Sequence, residues 1–486
     1  MKKIAIIGSG FSSLSAAAYL AKEGFQVDVF EKNETVGGRA RQYQQEGFTF
    51  DMGPTWYWMP DVFERFFSDL GKKREDYYQL ELLDPSYRIY YAENEYIDIK
   101  PDEEYLCSIF EKYQPGSAVF LRKFLKEAKD NYNIAIKDLV YRPGMSPLEL
   151  VNTKTMKRLH LFLKSIQKQV RSKIKHPYLF QLLEFPVLFL GAKPSNTPAF
   201  YNFMNYADLA MGTWYPKGGM YAVVEAMKKL AEELGAEFHT DADVHKISTQ
   251  NGNASGLIVN GNALSFDSIL SGADYHHTEL LLDEAKRGYS EKYWKSKTFA
   301  PSALLFYVGI NRKLKGILHH MLFFDESFDK HAIDIYDTPQ WPKKPLFYAS
   351  FPSLTDESCA PEGYENGTFL IPIATGITDT NEIREEYFHK ILHRFNRLTG
   401  HDISNDIILK KSYSVNDFIK DYNSYGGNAY GLANTLMQTA FLRPGIKSSK
   451  VKGLYFSGQL TVPGPGVPPA LISGKLSSEL VTKYLK

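Results

Sequence analysis

Three separated stretches of this sequence hold residues whose types and spacing support chemistry. The first is Gly8-Ser9-Gly10, followed by Ser12 and Ser13, directly after the β-branched run Lys3-Ile-Ala-Ile-Ile7. That run reads as a strand, and the Ala-rich stretch from Leu14 to Lys22, ended by Gly24, reads as a helix. Gln26-Val-Asp-Val-Phe30 is a second strand, with Glu31 and Lys32 at its C-terminal end and Glu31 placed 21 residues past Gly10. Strand, turn, helix, strand and acidic residue in this register form a dinucleotide fingerprint. Gly8 allows the tight turn and Gly10 lets the backbone approach a pyrophosphate. The helix N-terminus offers unpaired N–H groups and the positive end of its dipole. Glu31 is placed to bond a ribose hydroxyl. Ser13 stands where the pattern has its third glycine, and its side chain is small enough for close helix–strand packing.

The second stretch is Gly37-Gly38-Arg39-Ala40-Arg41, then Gly47-Phe-Thr-Phe-Asp-Met-Gly53-Pro54 with Thr55. An acidic strand end followed by Gly-Gly-Arg and another glycine-bounded strand is the pattern of FAD enzymes of the amine oxidase type. There the paired glycines let the chain pass close to the flavin, and the arginine faces phosphate or flavin. The third stretch lies at the other end: Gly453-Leu-Tyr-Phe-Ser-Gly458, then Thr461-Val-Pro-Gly464-Pro-Gly466-Val467-Pro468-Pro469-Ala470, then a helix pattern from Leu471 to Tyr484. A strand, a Gly/Pro-rich loop and a helix make a second dipole end. In a flavoenzyme that end faces the N1–C2=O edge of the isoalloxazine, where negative charge develops on reduction. Between these blocks, Gly212 to Tyr221 opens an amphipathic helix, Ala222 to Leu234. Short strands Glu237–Thr240 and Asp243–Ile247 follow, then a hairpin and Ser268 to Asp274. That path returns the chain to the nucleotide sheet, with Val244 near the adenine.

The elements that must hold these stretches belong to a chain of 486 residues, too long for one simple core. Lys plus Arg number 57 and Asp plus Glu 56, so nothing in the overall charge points to nucleic acid. Cys107 and Cys359 are the only cysteines, which excludes a disulfide framework and argues against a multi-cysteine metal site; no metal is expected. Aromatic residues are unusually frequent at 14%. The first residues look superficially like a signal peptide, but Gly8 and Gly10 break the apolar run and a new strand follows at once. No apolar run reaches about eighteen residues, so no membrane-spanning helix is expected; Phe185–Ala192 and Ala303–Ile310 suit buried segments.

Taken together, the chain resembles the bacterial carotenoid desaturases of the phytoene desaturase type. The motifs that carry the likeness are Gly8-Ser-Gly10, Glu31, Gly37-Gly38-Arg39-Ala40, Phe50-Asp-Met-Gly-Pro54, Tyr215-Pro-Lys-Gly218-Gly219, Gly272-Ala-Asp274, His319-His320, Ala360-Pro-Glu-Gly363 and Pro463-Gly-Pro-Gly466-Val467-Pro468. The resemblance implies an α/β fold with a discontinuous Rossmann-like FAD domain (1–95, 212–298 and 446–486). It is interleaved with a mixed α+β substrate domain (96–211 and 299–445), of which 145–210 is a helical, membrane-facing part. It further implies one FAD, a carotenoid substrate, a peripheral place on the inner face of the cell membrane, and an acceptor such as O2 or a quinone. Phytoene-to-lycopene desaturation and 3,4-desaturation of a 1-hydroxylated or monocyclic carotenoid use the same motifs. Two departures stand out: Ser13, and Val462, where many relatives carry histidine. The same fold also serves amine and porphyrinogen oxidases and non-catalytic prenyl-lipid carriers.

Desaturation needs a hydride acceptor and a proton route but no nucleophile triad. Candidate groups are Asp208, His276 or its neighbour His277, and Arg142. Phe185, Phe189, Leu190, Phe200, Tyr201 and Phe203, together with Leu304 to Tyr307, offer lining for a polyene. Residues 150–183 hold eight Lys or Arg and no Asp or Glu. Leu159, Phe162, Leu163, Ile166, Val170 and Ile174 share one helical face there, the pattern of a basic amphipathic helix resting on anionic lipid.

Overall fold

Alternating β-branched residues near the N-terminus form the central strand of a five-stranded parallel sheet. In the computed structural model, which describes residues 1–146, 149 and 158–486, its order is Leu454–Phe456, Ser268–Ser271, Lys3–Ile7, Gln26–Phe30 and Ala236–His239. Side chains along Lys3–Ile7 divide by parity. Ile4 and Ile6 pack with helices Phe11–Lys22, Met220–Glu233 and Val467–Leu485, while Ala5 and Ile7 face an antiparallel sheet of Val244–Gln250, Asn253–Val259 and Asn262–Ser265.

The C-terminal helix begins at Val467, four residues before the expected Leu471, because Pro468 and Pro469 form its first turn. There the missing proline N–H groups cost nothing, since first-turn donors have no intrahelical acceptor. This helix lies on Phe11–Lys22, and the Ser15 hydroxyl donates to the Leu471 carbonyl at 2.8 Å.

Seven strands build the second sheet, ordered Ile407–Tyr413, Ser302–Ile310, Glu365–Ile373, Phe347–Ser350, His320–Phe323, Tyr87–Ala92 and Glu95–Ile99. One face packs on helix Asn381–Thr399 through Leu304, Phe306, Val308, Phe388, Ile391 and Phe395. The opposite face, with Ala303, Leu305, Leu322, Tyr348 and Leu370, turns toward the space between the two sheets.

A helical layer closes that space from the side, and here the expected basic amphipathic helix is corrected. Two short helices, Leu159–Phe162 and Ile166–Arg171, replace it, and Lys154 and Lys157 lie outside the described residues. The break is chemical: Ser165 leaves the helix and its hydroxyl caps the second one by accepting from the Lys168 N–H. Ile166, Val170 and Ile174 are buried in the core, while Leu159 and Leu163 are 50% and 77% exposed. Arg158 and Arg171 are tied to Asp130 and to Glu184 with Asp329, so fewer of these charges face outward than the sequence suggested.

The missing fingerprint glycine has a structural counterpart on the neighbouring strand. Ser13 is fully buried, and a Cβ on Gly272 would stand 2.1 Å from its hydroxyl. The close approach that the third glycine normally allows is thus provided by Gly272. Gly272→Ala is expected to cost about 1–3 kcal/mol through overpacking. In a Ser13→Gly background the cost should be smaller. Urea unfolding of the four proteins measures both numbers, and an equal cost in the two backgrounds would disprove the pairing.

Candidate active site

Between the two sheets runs one continuous cavity of about 890 Å3. At one end it is bounded by the fingerprint turn, the helix N-termini and the Gly/Pro loop near the C-terminus; at the other it is lined by aromatic and aliphatic side chains. Fifteen of the sixteen residues read from the sequence as cofactor ligands lie in its wall: Gly8, Gly10, Ser12, Glu31, Lys32, Gly38, Arg39, Gly53, Pro54, Thr55, Val244, Gly458, Gly466, Val467 and Pro468. Ser13 alone stands behind the wall, against Gly272.

Local chemistry at this end suits a dinucleotide. The N-caps Gly10 and Gly466 make no side-chain hydrogen bond. The first-turn N–H groups of Phe11–Lys22 are left for an anion, whereas in Val467–Leu485 the prolines at 468 and 469 have none to give and that end offers the Val467 N–H and the helix dipole. At Gly10 the space where a Cβ would go is open, whereas at Gly38, with φ at +55°, a Cβ would come within 3.2 Å of the Gly10 Cα, so Gly38 is the tight position. Glu31 is 5% exposed, with Oε2 accepting from the Ser9 N–H and hydroxyl and Oε1 from the Asn33 N–H and amide. Arg39 donates to the Ser424 hydroxyl and the Asn428 carbonyl, its Nε has no partner, and burial lowers its pKa. A buried guanidinium bonded only to neutral oxygens is electrostatically open to a phosphate or a flavin.

One segment of this end was not anticipated. Residues 420–428 strap across it: Lys32 reaches the Lys420 carbonyl, Arg41 pairs with Asp421 at 2.7 Å, and the Tyr425 N–H reaches Asp274. His277 meets the Asn423 amide at 3.1 Å, and burial holds its pKa below the ordinary histidine value. Asn423 closes helix Val415–Tyr422 in a left-handed conformation. Asn-Ser-Tyr-Gly-Gly flags a turn in the sequence, but no local signal names a partner hundreds of residues away.

Along the apolar end the cavity is lined by Phe185, Phe189, Leu190, Phe200, Tyr201 and Phe203, as expected from the aromatic block, and by Trp56 and Trp58, which were not anticipated. Of Leu304 to Tyr307 only Leu305 reaches it; Leu304 and Phe306 point into the other core. A polar patch stands in this wall at Thr55 and Tyr348, backed by His320. The Tyr348 hydroxyl stands 2.8 Å from Thr55 Oγ1 and 2.6 Å from His320 Nδ1, and the His320 ring stacks on Trp56 with centroids 4.4 Å apart. Full burial pushes the His320 pKa well below the ordinary value, so this patch is neutral.

Neither of the first-named catalytic candidates lines the cavity. Asp208 is 1% exposed behind Tyr87, whose hydroxyl donates to Oδ2 at 2.8 Å. His276 points away and pairs with Glu291 at 2.7 Å, while its neighbour His277 faces inward. Helix phase explains this: consecutive residues on Tyr275–Leu280 face different directions. Arg142 lines the outer part and pairs with Asp138.

A Rossmann-type sheet with an open phosphate cradle, joined without a break to a long greasy cavity, defines a nucleotide-cofactor oxidoreductase with an apolar substrate space. The chain belongs to the flavin containing amine oxidoreductase family, whose model matches residues 11–482, and its cofactor is FAD. It is 42% identical to the carotenoid 3,4-desaturase of Haloarcula japonica over 98% of this chain and 97% of that one. To a 4,4'-diapophytoene desaturase of Staphylococcus haemolyticus it is 34% identical, covering 99% of each. A redesigned putrescine oxidase shares the fold, with a TM-score of 0.66 at 13% identity over 99% of both chains.

Burial pushes the Asp208 carboxyl from 3.8 up to about 8. Between those values the folded chain holds a proton that the unfolded chain releases. Its contribution is therefore fully present at low pH and is lost as pH rises toward 8. Asp208→Asn removes this loss. Its stability relative to the wild type is expected to rise from pH 5 to pH 8, by up to about 1.4 kcal/mol per unit. Urea titrations across that range test it; a margin independent of pH would contradict the assignment.

Proposed function

We propose that this protein is a FAD-dependent carotenoid desaturase that introduces a conjugated double bond into a long polyene. The observation that carries the reading is the continuity of the cavity: cofactor end and hydrocarbon end share one space. When bound, FAD supplies a two-electron acceptor beside the substrate. Residues Gly8 to Ser12, Glu31, Arg39 and the loop Gly458–Pro468 would hold it. Trp56, Phe185, Phe189 and Phe203 exclude water and present aromatic faces to a chain that becomes electron-poor as it reacts. The likeness to a protein named carotenoid 3,4-desaturase favours the 3,4 bond of a carotenoid already partly conjugated, over the first steps from phytoene. Reoxidation by O2 or a quinone completes turnover.

Purified protein is expected to be yellow with bound flavin. Co-expression with supplies of phytoene, lycopene, γ-carotene or a hydroxylated carotenoid should lengthen the absorbing chromophore of a late carotenoid but not of phytoene. Flavin-bearing protein that changes none of these, or that oxidises amines instead, would overturn the reading.

The substrate lives in the bilayer, and the outer end of the cavity suits contact with one. Leu159, Leu163, Met437, Phe441 and Leu442 line it and are exposed, and Lys168, Lys173 and Lys175 are exposed on the same helical layer. No described helix is long and apolar enough to cross a membrane. Peripheral docking on the anionic inner face of the cell membrane fits both features. Each apolar side chain withdrawn from water is worth about 1.5–3 kcal/mol. Leu163→Asp with Phe441→Asp should therefore lower co-sedimentation with anionic phosphatidylglycerol vesicles at least tenfold while leaving flavin content unchanged. Undiminished sedimentation would remove the membrane from the proposal.

A further inference from the structure

Arg443 is 4% exposed and uses its guanidinium completely. Nε donates to the Thr461 carbonyl at 2.8 Å, Nη1 to Asn434 Oδ1 at 2.7 Å and the Gln438 carbonyl at 2.9 Å, and Nη2 to the carbonyls of Leu432 at 3.2 Å and Gln459 at 2.7 Å. Every acceptor is neutral, and no carboxylate among the described residues lies within ion-pair distance. Arg384, similarly buried, is matched by Asp379 and Asp417, and the half-buried Arg394 by Asp325, whereas Arg39, in the wall of the same cavity, likewise bonds only neutral oxygens. Burial lowers the Arg443 pKa only to about 10, so the cation persists at neutral pH.

A buried cation without a counter-charge is costly even when hydrogen-bonded. Its position says what the charge faces. Gln459, Val462 and Pro463 line the cavity, and Arg443 grips the carbonyls of Gln459 and Thr461 from behind. Asn434 lines the cavity too. Because an arginine can only donate, the atom it bonds must be the Asn434 oxygen, which leaves Nδ2 as a donor with no partner among the described residues. Asn434 lies against Gly464, in the loop that opens the C-terminal helix.

We propose that Arg443 is a positioning residue that sets the reduction potential of the flavin, its charge relayed to the cavity through Asn434 and the Gln459–Pro463 loop. This rests on the reading that FAD occupies the cavity with its N1–C2=O edge toward that loop. Substrate oxidation leaves two electrons on the flavin. The negative charge that accumulates at that edge is then the counter-charge the guanidinium lacks in the oxidised state. Aligned, pre-paid positive charge of this kind favours the reduced cofactor and so the removal of hydrogen from an unactivated C–H bond.

The test is a comparison of reduction equilibria against a reference dye, using flavin-loaded wild type, Arg443→Gln and Arg443→Lys. Arg443→Gln is expected to shift the equilibrium at least tenfold toward oxidised flavin, which for a two-electron couple is about 30 mV. Arg443→Lys, which keeps the charge, should restore most of that shift. A yellow Arg443→Gln protein with an unshifted equilibrium, or a lysine variant no different from glutamine, would overturn the proposal. Should Arg443→Gln fail to fold or to retain flavin, Asn434→Leu keeps the cation and removes the relay; it is expected to shift in the same direction by a smaller factor, and no shift refutes the relay. Wild type that takes up no FAD would sink the functional reading and this inference together, whereas yellow wild type with unshifted variants sinks the inference alone.

Discussion

A space that must stay dry governs the arrangement of this molecule. Hydrocarbon and isoalloxazine both need a slot without water, yet the cofactor also carries phosphates, and the chemistry moves charge. Polar groups therefore stand along half of an otherwise greasy cavity, and each must be supported by the chain itself. Glu31 is held by Ser9 and Asn33, Arg39 by Ser424 and Asn428, and Arg443 by four carbonyls and one amide. Where the wall needs no charge there is little: Tyr348 bonds Thr55 and His320 Nδ1, and burial keeps His320, whose Nε2 has no partner among the described residues, neutral.

That requirement also shapes the fold. Neither sheet could enclose such a slot alone. The parallel sheet contributes phosphate-binding turns at the C-terminal ends of its strands, and the seven-stranded sheet contributes a floor of alternating side chains. Residues 420–428 reach from the second unit across the first, so the nucleotide end is roofed by a segment whose own strands belong elsewhere.

Much of the cofactor end was legible in the sequence because its signals are local. A strand, a glycine turn, a helix and an acidic residue follow one another within about thirty residues, and each has a fixed mechanical role. Even the departure at Ser13 had a readable purpose, although its compensation by Gly272 lies some 260 positions away. The reading failed where a decision depended on phase or on distant partners. Asp208 and His276 carry plausible chemistry but face the wrong way. The helix through residue 165 had good amphipathic spacing, yet a serine cap broke it. Residues 420–428 and Arg443 were invisible, since nothing near them in the chain records what they hold.

The strand order carries a consequence for the birth of the protein. Lys3–Ile7 is made first and sits at the centre of its sheet, but one flank is covered only by Ser268–Ser271, whose own outer neighbour is Leu454–Phe456. On the ribosome that flank of Lys3–Ile7 must therefore wait unpaired until the chain has emerged past residue 271, and Ser268–Ser271 must wait in turn for Leu454–Phe456. The stretch from Leu454 to Lys486 brings the edge strand, the Gly/Pro loop of the cavity wall and the helix that covers Phe11–Lys22. Translation that stops short of them yields a chain that has every phosphate-binding glycine of the fingerprint and no finished site.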